Sequence, residues 1–295
     1  MLVSVVIPSY NHKEYVAQAI DSVLGQSWPH VDLIVIDDGS TDGSADIIRA
    51  HHKQHGGYRY LCRDNQGLLR TLNEGLHMAH GEFFCELASD DYLPTDSLAI
   101  RVKYLQENRD CVAVFADGLL IEGETLTDHK LVKDKRLDIF SAADPLPAML
   151  AGVNPIFSTG LIRCEILRKI GGFDDQTFRY YEDLDTPILL SLQGRLGFLC
   201  QPVIYRRHHE TNVSSSTSHV RVEKVLCYQK LLGIPQLAPH RQLLVKRLRR
   251  SLLALGRYLD SAHGGNERER RAFRQGWRFA WQDPRLLWLL LRWGW

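Results

Sequence analysis

The sequence has no Cys-x-x-Cys pair, no Walker A loop, no G-x-G-x-x-G fingerprint and no apolar run long enough to cross a bilayer. Each absence closes a class of function. The six cysteines (Cys62, Cys85, Cys111, Cys164, Cys200 and Cys227) are scattered, and several sit in apolar runs such as Phe83-Phe84-Cys85. They read as buried reduced thiols rather than a thiolate zinc site, which fits a reducing compartment. Without a Walker A or G-x-G-x-x-G loop, neither P-loop nor dinucleotide-fingerprint chemistry is available. The longest apolar stretch, Leu286–Leu291, falls far short of the roughly 20 residues that a spanning helix needs. The chain opens directly into Leu2-Val3-Ser4-Val5-Val6-Ile7 with no basic segment ahead of it. No signal peptide is therefore expected, and the expected location is the cytoplasm. No Ser-His-Asp or Cys-His arrangement, internal repeat or low-complexity tract stands out.

What is present is ordinary globular material: 295 residues, 44% hydrophobic and 24% charged, enough for a sizeable core without staples. The net charge of +1 hides an asymmetry. From Arg241 onward there are 13 Lys and Arg against 4 Asp and Glu, leaving 23 basic and 31 acidic residues before it. An acidic body carrying a basic, Trp-rich tail reads as a two-part protein, a body over 1–220 and a helical extension over 221–295.

Along the body, short apolar runs alternate with helical patterns. Val3–Ile7, Asp32–Ile36, Tyr58–Cys62 and Glu82–Leu87 read as buried strands. Helices are expected around Lys13–Gln26, Gly43–His55 and Gly67–Met78. Such alternation predicts an α/β fold with a mostly parallel sheet covered on both faces. Further on, Cys111–Phe115, Leu119–Ile121 and Phe157–Arg163 read as strands, and Asp183–Gln193 as a helix after the Gly171-Gly172-Phe173 turn. Past Val220 the pattern is purely helical, broken at Gly264-Gly265. Each early strand empties into a polar loop: Pro8-Ser9-Tyr10-Asn11, Asp37-Asp38-Gly39-Ser40, Asp64-Asn65-Gln66-Gly67 and Ser89-Asp90-Asp91. Ligands on parallel sheets bind beyond those carboxyl ends, so the repeated placement is the first functional signal.

Four constellations carry possible chemistry. Asp37 to Asp42 serves either as a helix cap, with Ser40 or Thr41 capping and Asp42 facing the helix dipole, or as a carboxylate contact to a base or ribose. Ser89-Asp90-Asp91 is either a cap before Leu93-Pro94 or two adjacent carboxylates relieved by a hard divalent cation on a diphosphate. Tyr181-Glu182-Asp183-Leu184-Asp185 places three carboxylates at a helix start, where they either complement the dipole or present one general base to a cleft. Tyr205-Arg206-Arg207-His208-His209 offers imidazoles that are either structural or ligands.

In order and spacing these motifs resemble the family-2 inverting glycosyltransferases of GT-A fold, over about residues 1–215. The carriers are Val5-Val6-Ile7-Pro8-Ser9-Tyr10-Asn11, Val35-Ile36-Asp37-Asp38-Gly39-Ser40-Thr41-Asp42, Asn65-Gln66-Gly67 with Asn73 and Gly75, and Gly171-Gly172-Phe173-Asp174 with Glu182-Asp183. The resemblance implies that Pro8, Tyr10 and Asp38 hold the base and ribose of a nucleotide sugar. It places Asn11, Asn65, Gly67, Arg70 and Ser89 in the same donor-binding set. Asp90 would bind a magnesium or manganese ion on the diphosphate, joined by His208, with His209 as the competing choice. Asp183 would be the catalytic base, with Glu182 beside it. Two departures stand out: the family's D-x-D triplet falls on Ala88-Ser89-Asp90 and so lacks its first aspartate, and Leu72 replaces a common arginine, so that one diphosphate contact is either absent or supplied by Arg70.

The activity implied is metal-dependent, inverting transfer from a nucleoside-diphosphate sugar, with UDP as the commonest carrier, to a hydroxyl of a glycan or lipid-linked glycan. Cell-surface polysaccharide or lipopolysaccharide assembly is the implied setting. The rival readings are a degenerate nucleotide-sugar-binding scaffold, favoured by Ala88, and a sugar nucleotidyltransferase, disfavoured because Pro8-Ser9-Tyr10-Asn11 is not a Gly-rich basic loop. The tail over 241–295, rich in Arg, Leu and Trp, is either helices packed on the body or a peripheral contact with anionic membrane at the inner face of the plasma membrane. Nucleic acid is not an expected partner, because the acidic body would repel phosphates.

Overall fold

The computed structural model describes residues 1–123, 125–132, 140, 144–179, 181–208, 217–262, 265–276, 279 and 283–293. Strands β1 (Val3–Ser9), β2 (Val31–Asp38), β3 (Arg59–Arg63) and β4 (Phe83–Glu86) pair in parallel in the order β3-β2-β1-β4. All four match the expected strands to within two residues at each end, and in β1, β2 and β4 the continuous apolar runs are what a sheet buried on both faces requires. In β1, Val6 joins the core on one face while Val3, Val5 and Ile7 join the core on the other.

Two elements differ from expectation. Cys111–Phe115 and Leu119–Ile121 are one continuous strand, β5 (Cys111–Glu122), bent by register shifts around Ala116 and Asp117 rather than broken. Phe157–Arg163 is not one strand. Phe157–Thr159 forms a single tight turn, with the Gly160 N–H donating to the Phe157 carbonyl at 2.8 Å, and only β7 (Leu161–Arg163) is extended. A hairpin strand, β6 (Thr125–Lys130), returns along β5. β7 sits antiparallel between β4 and β5, and the long β8 (Arg195–His208) runs parallel to β5 on its other side.

Helices α1 (Val16–Leu24), α2 (Ser44–His55) and α4 (Ser97–Glu107) cover one face of the sheet. On the other lie α3 (Leu68–Met78), the short α5 (Leu146–Leu150), α6 (Cys164–Lys169) and α7 (Thr186–Ser191). The C-terminal helices α8 (Thr217–Leu231), α9 (Arg241–Ser261), α10 (Glu267–Gln275) and α11 (Pro284–Trp293) join this second face. Leu244, Leu248, Leu252, Leu255 and Leu259 form the buried stripe of α9, and they share one core with Phe84, Phe173 and Ile188 of the body. Burying five leucines contributes on the order of 10 kcal/mol before ordering entropy is counted.

Polar ties reinforce the packing. Lys230 of α8 reaches Asp174 at 2.7 Å and Asp185 at 2.5 Å. Buried Glu223 accepts from the Arg179 backbone N–H at 2.8 Å and pairs with Arg268 at 2.7 Å. The segments around Asp174, Arg179 and Asp185 are thereby tied to α8.

Candidate active site

The loops beyond β1 and β2 are fastened to each other. Asn11, the one non-glycine residue with positive φ (57°) among the described residues, adopts a conformation that Asn tolerates better than most side chains. Its N–H donates to Ser40 Oγ at 2.9 Å, and its Oδ1 accepts from the Thr41 N–H at 2.8 Å. Ser40 is held in turn by Asp37, through its N–H at 3.0 Å and its hydroxyl at 2.6 Å. Helix α2 therefore starts later than the Ser40 or Thr41 cap expected, at Ser44 after Gly43, and Asp42 Oδ1 accepts the Ser44 N–H at 3.0 Å. Ser40 and Thr41 are used across the loops instead. Pro8 lies within β1, and the Tyr10 ring stands 48% exposed at the mouth of this junction.

Asp38 is buried and engaged. Its carboxylate accepts from the Gln66 N–H at 2.7 Å and the Gly67 N–H at 2.9 Å, and it pairs with Arg63. It thus sets the course of the 64–67 loop, which passes so close that a Cβ on Gly39 would meet the Asn65 nitrogen at 2.6 Å. Arg70 points outward to Asp175 at 3.4 Å. Asn73 clamps the Gly-Gly-Phe turn from both sides: its Nδ2 donates to the Phe173 carbonyl and its Oδ1 accepts the Phe173 N–H, each at 2.8 Å. A Cβ on Gly172, whose φ is +73°, would sit 2.5 Å from Asn73 Oδ1, so only glycine fits. The Asn73 motif is in this way a support for the segment that carries Asp183.

Beyond β4, Ser89 and Asp90 are buried against a residue the sequence did not single out. His12 Nδ1 lies 2.8 Å from Ser89 Oγ, and its Nε2 lies 3.9 Å from Asp90 Oδ2. Asp91 turns away and accepts the Arg207 N–H at 2.9 Å, fastening the loop to β8. Successive strand residues alternate faces. Arg207 packs over the Tyr15 and Tyr92 rings, and Arg206 and His208 take the opposite face. His208 is exposed at the strand end, paired in register with Glu122; His209 lies outside the described residues.

Glu182 and Asp183 sit in the turn before α7, so the helix expected to begin at Asp183 begins only at Thr186. Asn154 Nδ2 donates to the Asp183 carbonyl at 2.6 Å, fixing the backbone, while Asp183 Oδ1 is buried without a hydrogen-bond partner. Burial pushes the Asp183 carboxyl up, against the opposing pull of Arg206 and Lys224. Burial, then Glu86 and Asp183, hold Glu182 well above the usual carboxylate range. Burial and the neighbouring carboxylates push Glu86 and Asp91 up to about 8. A folded state that holds extra protons is favoured at low pH. For Glu86 and Asp91 the stabilisation is complete below the unfolded carboxylate range near 4 and is lost as pH rises through about 8. The urea midpoint of the free protein is expected to be lower at pH 8.5 than at pH 5.5; an equal or higher midpoint at pH 8.5 would contradict this charge distribution.

The sequence profile of Glycosyl transferase family 2 matches residues 4–171. The chain belongs to that family. It is a glycosyltransferase, an α/β protein whose sheet and flanking helices are GT-A-like. The putative teichuronic acid biosynthesis glycosyltransferase TuaG of Bacillus subtilis is 38% identical over 115 residues, covering 39% of this chain and 45% of that protein. The chain therefore aligns with under half of that relative's length. Among solved structures, S. aureus TarS 1–349 in complex with UDP-GlcNAc superposes with TM-score 0.69 and 19% identity, covering 98% of this chain and 84% of that one. The mannosyltransferase PcManGT of Pyrobaculum calidifontis, in complex with GDP-Man and Mn2+, superposes with TM-score 0.60 and 19% identity, covering 98% and 83%. At these identities the two structures speak for the fold.

The residues around Asp90 suit a divalent cation of the magnesium or manganese type. Among the described residues no group of three or more His, Cys, Asp or Glu is arranged as a closed metal cage. Such ions do not require one: they keep waters and are commonly held by one or two carboxylates together with substrate phosphates. Two residues of this glycosyltransferase's site escaped sequence reasoning. His12 stood beside Tyr10 and Asn11 without a motif of its own. Glu86 did carry a signal, since it is a carboxylate inside the apolar run Phe83-Phe84-Cys85-Glu86-Leu87, where a charge has no structural use.

Proposed function

We propose that this glycosyltransferase moves a sugar from a UDP-sugar to a hydroxyl of a glycan or lipid-linked glycan, with inversion and with a divalent cation on the diphosphate. The observation that carries this reading is the carboxylate cluster at the carboxyl end of β4, where buried Asp90 and Asp91 follow the strand and Glu86 feels the charges of both Asp91 and Asp183, whose Oδ1 is buried and unpartnered. In the proposed donor site the exposed Tyr10 ring offers a face to the base. Asp38 acts through the 64–67 backbone it fixes, with Pro8, Asn11, Asn65, Gly67 and Arg70 along the same rim. Asp90, with Ser89 and His12 behind it and His208 from β8, would hold the cation, which supplies charge neutralisation to the leaving diphosphate.

Asp183 takes the proton of the acceptor hydroxyl, which is a poor nucleophile until a carboxylate removes it. The acceptor oxygen bonds to the anomeric carbon from the face opposite the diphosphate. The bond from that carbon to the phosphate oxygen breaks, and UDP leaves with the bonding electrons. One in-line displacement inverts the centre, so no covalent enzyme nucleophile is needed. Glu182 sits beside the base and adds to the local negative charge, which favours a proton on this cluster.

The TuaG relative supports a role in cell-surface polysaccharide assembly. A peripheral membrane contact is supported by α11, where Leu287, Trp288 and Leu291 are exposed between Arg285 and Arg292, the composition of an interfacial helix. No helix among the described residues is long and apolar enough to cross a membrane.

Calorimetric titration with UDP and GDP, each with manganese and with EDTA, tests the donor reading. UDP binding that requires manganese and weakens at least tenfold in Asp90→Ala is expected. Ala88, in place of an aspartate, favours the scaffold reading; metal-independent binding unaffected by Asp90→Ala would support it instead.

A further inference from the structure

Glu86 is the last residue of β4, paired in register with Val6. By the period of two its side chain leaves the sheet on the face of Phe84, toward the layer that carries Phe173 and Asp183, while Cys85 and Leu87 pack into the opposite core. The residue is 5% exposed, and its Oε2 has no hydrogen-bond partner. Its electrostatic neighbours are Asp183, Asp91 and Arg206. It is thus within electrostatic reach of the loop that follows β4 and of the carboxylate that would deprotonate an acceptor.

A buried carboxyl with an open oxygen is costly, and an apolar side chain would serve the strand better. Folding alone does not explain it. The missing D-x-D aspartate adds a second observation: position 88 is alanine, and a carboxylate stands two residues earlier, one full pleat back along the same stretch. A sugar linked to a diphosphate at Asp90 and presenting its anomeric carbon to Asp183 would approach the carboxyl end of β4, where Glu86 is the last strand residue and carries the charge influence of Asp183. Ring hydroxyls both donate and accept, and a polar site built to pair with one strongly rejects an isomer that lacks it.

We propose that Glu86 binds ring hydroxyls of the donor sugar and sets which sugar the enzyme accepts. The inference rests on the nucleotide-sugar reading of the same site. It makes Glu86 a specificity residue, with no part in holding the nucleotide or the cation.

The test compares nucleotide with nucleotide sugar, in manganese, for the wild type, Glu86→Gln and Glu86→Leu. The probes are UDP, UDP-glucose, UDP-galactose, UDP-N-acetylglucosamine, UDP-glucuronate, GDP and GDP-mannose, with thermal unfolding of each variant alongside. Both variants are expected to bind the bare nucleotide within about twofold of the wild type. The affinity of the preferred sugar nucleotide relative to its bare nucleotide should fall at least tenfold in Glu86→Leu, with the order of sugars altered in Glu86→Gln. The melting temperature of Glu86→Leu should equal or exceed that of the wild type. Three results overturn the inference: equal loss of nucleotide and sugar nucleotide, unchanged ratios in both variants, or a lower melting temperature in both with unchanged sugar order. Wild-type protein that binds none of the seven probes overturns the nucleotide-sugar reading itself, and the role of Glu86 with it.

Discussion

Asp183→Asn is expected to lower the rate of UDP release from a UDP-sugar by about a thousandfold, the middle of the range for loss of a general base. The affinity for the UDP-sugar should stay within about threefold. The two readouts separate if, as proposed, the donor is held from the β1, β2 and β4 loops and Asp183 serves the acceptor from the turn before α7. The turn is held independently of the carboxylate's Oδ1, which has no hydrogen-bond partner, because Asn154 grips the backbone carbonyl. The substitution relieves repulsion with Glu86 and gives up the attraction of Arg206 and Lys224, so the melting temperature should stay close to that of the wild type. A variant that keeps most of its turnover would remove Asp183 from the role of base.

The second large effect is on stability. Lys230→Met is expected to cost about 3 kcal/mol, because removing one member of a largely buried ion pair strands the others. Here two carboxylates are stranded, Asp174 and Asp185, and Asp185 is almost wholly enclosed. For a chain of this size that loss corresponds to a fall of about 5 °C in melting temperature. Asp174→Asn combined with Lys230→Met should recover part of it, since one stranded charge is gone. A single variant as stable as the wild type would mean that the tail holds the Asp183 segment through its leucines alone.

The sequence made the donor half of the fold legible, for a physical reason. Strands β1, β2 and β4 are buried on both faces, so they appear as uninterrupted apolar runs, and the polar loops that follow stand out against them. The second half hid itself. β8 has Gly197 and Pro202 within it, and register shifts interrupt its pairing with β5, so no simple alternation marks its 14 residues. The 157–163 segment looked extended because Phe157, Leu161 and Ile162 are apolar, yet Phe157 turns inward through a tight turn to meet Phe173.

The site divides along the same line. Asp90 and Asp183 were readable because they stand in motifs, but what surrounds them was not. His12 meets Ser89 across 77 residues of sequence, and Glu86 feels the charge of Asp183 from a distant segment of the chain. Several motif residues brace the loops on which the proposed site stands. Asn11 ties two loops, Asp38 fixes a third, and Asn73 holds the Gly172-Phe173 turn. Spacing alone cannot separate a residue that touches a ligand from one that positions the loop beside it.

The central claim is that one edge of the sheet holds the donor between Asp90 and Asp183. A crystal structure of the protein with manganese and the UDP-sugar it binds most tightly tests this most directly. The account predicts the diphosphate at Ser89-Asp90, the sugar over Glu86 and the anomeric carbon facing Asp183 Oδ1. A nucleotide lodged instead in the cavity of about 450 Å³ lined by Leu184, Lys224, Tyr228 and Arg247, or a sugar turned away from Asp183, would contradict it.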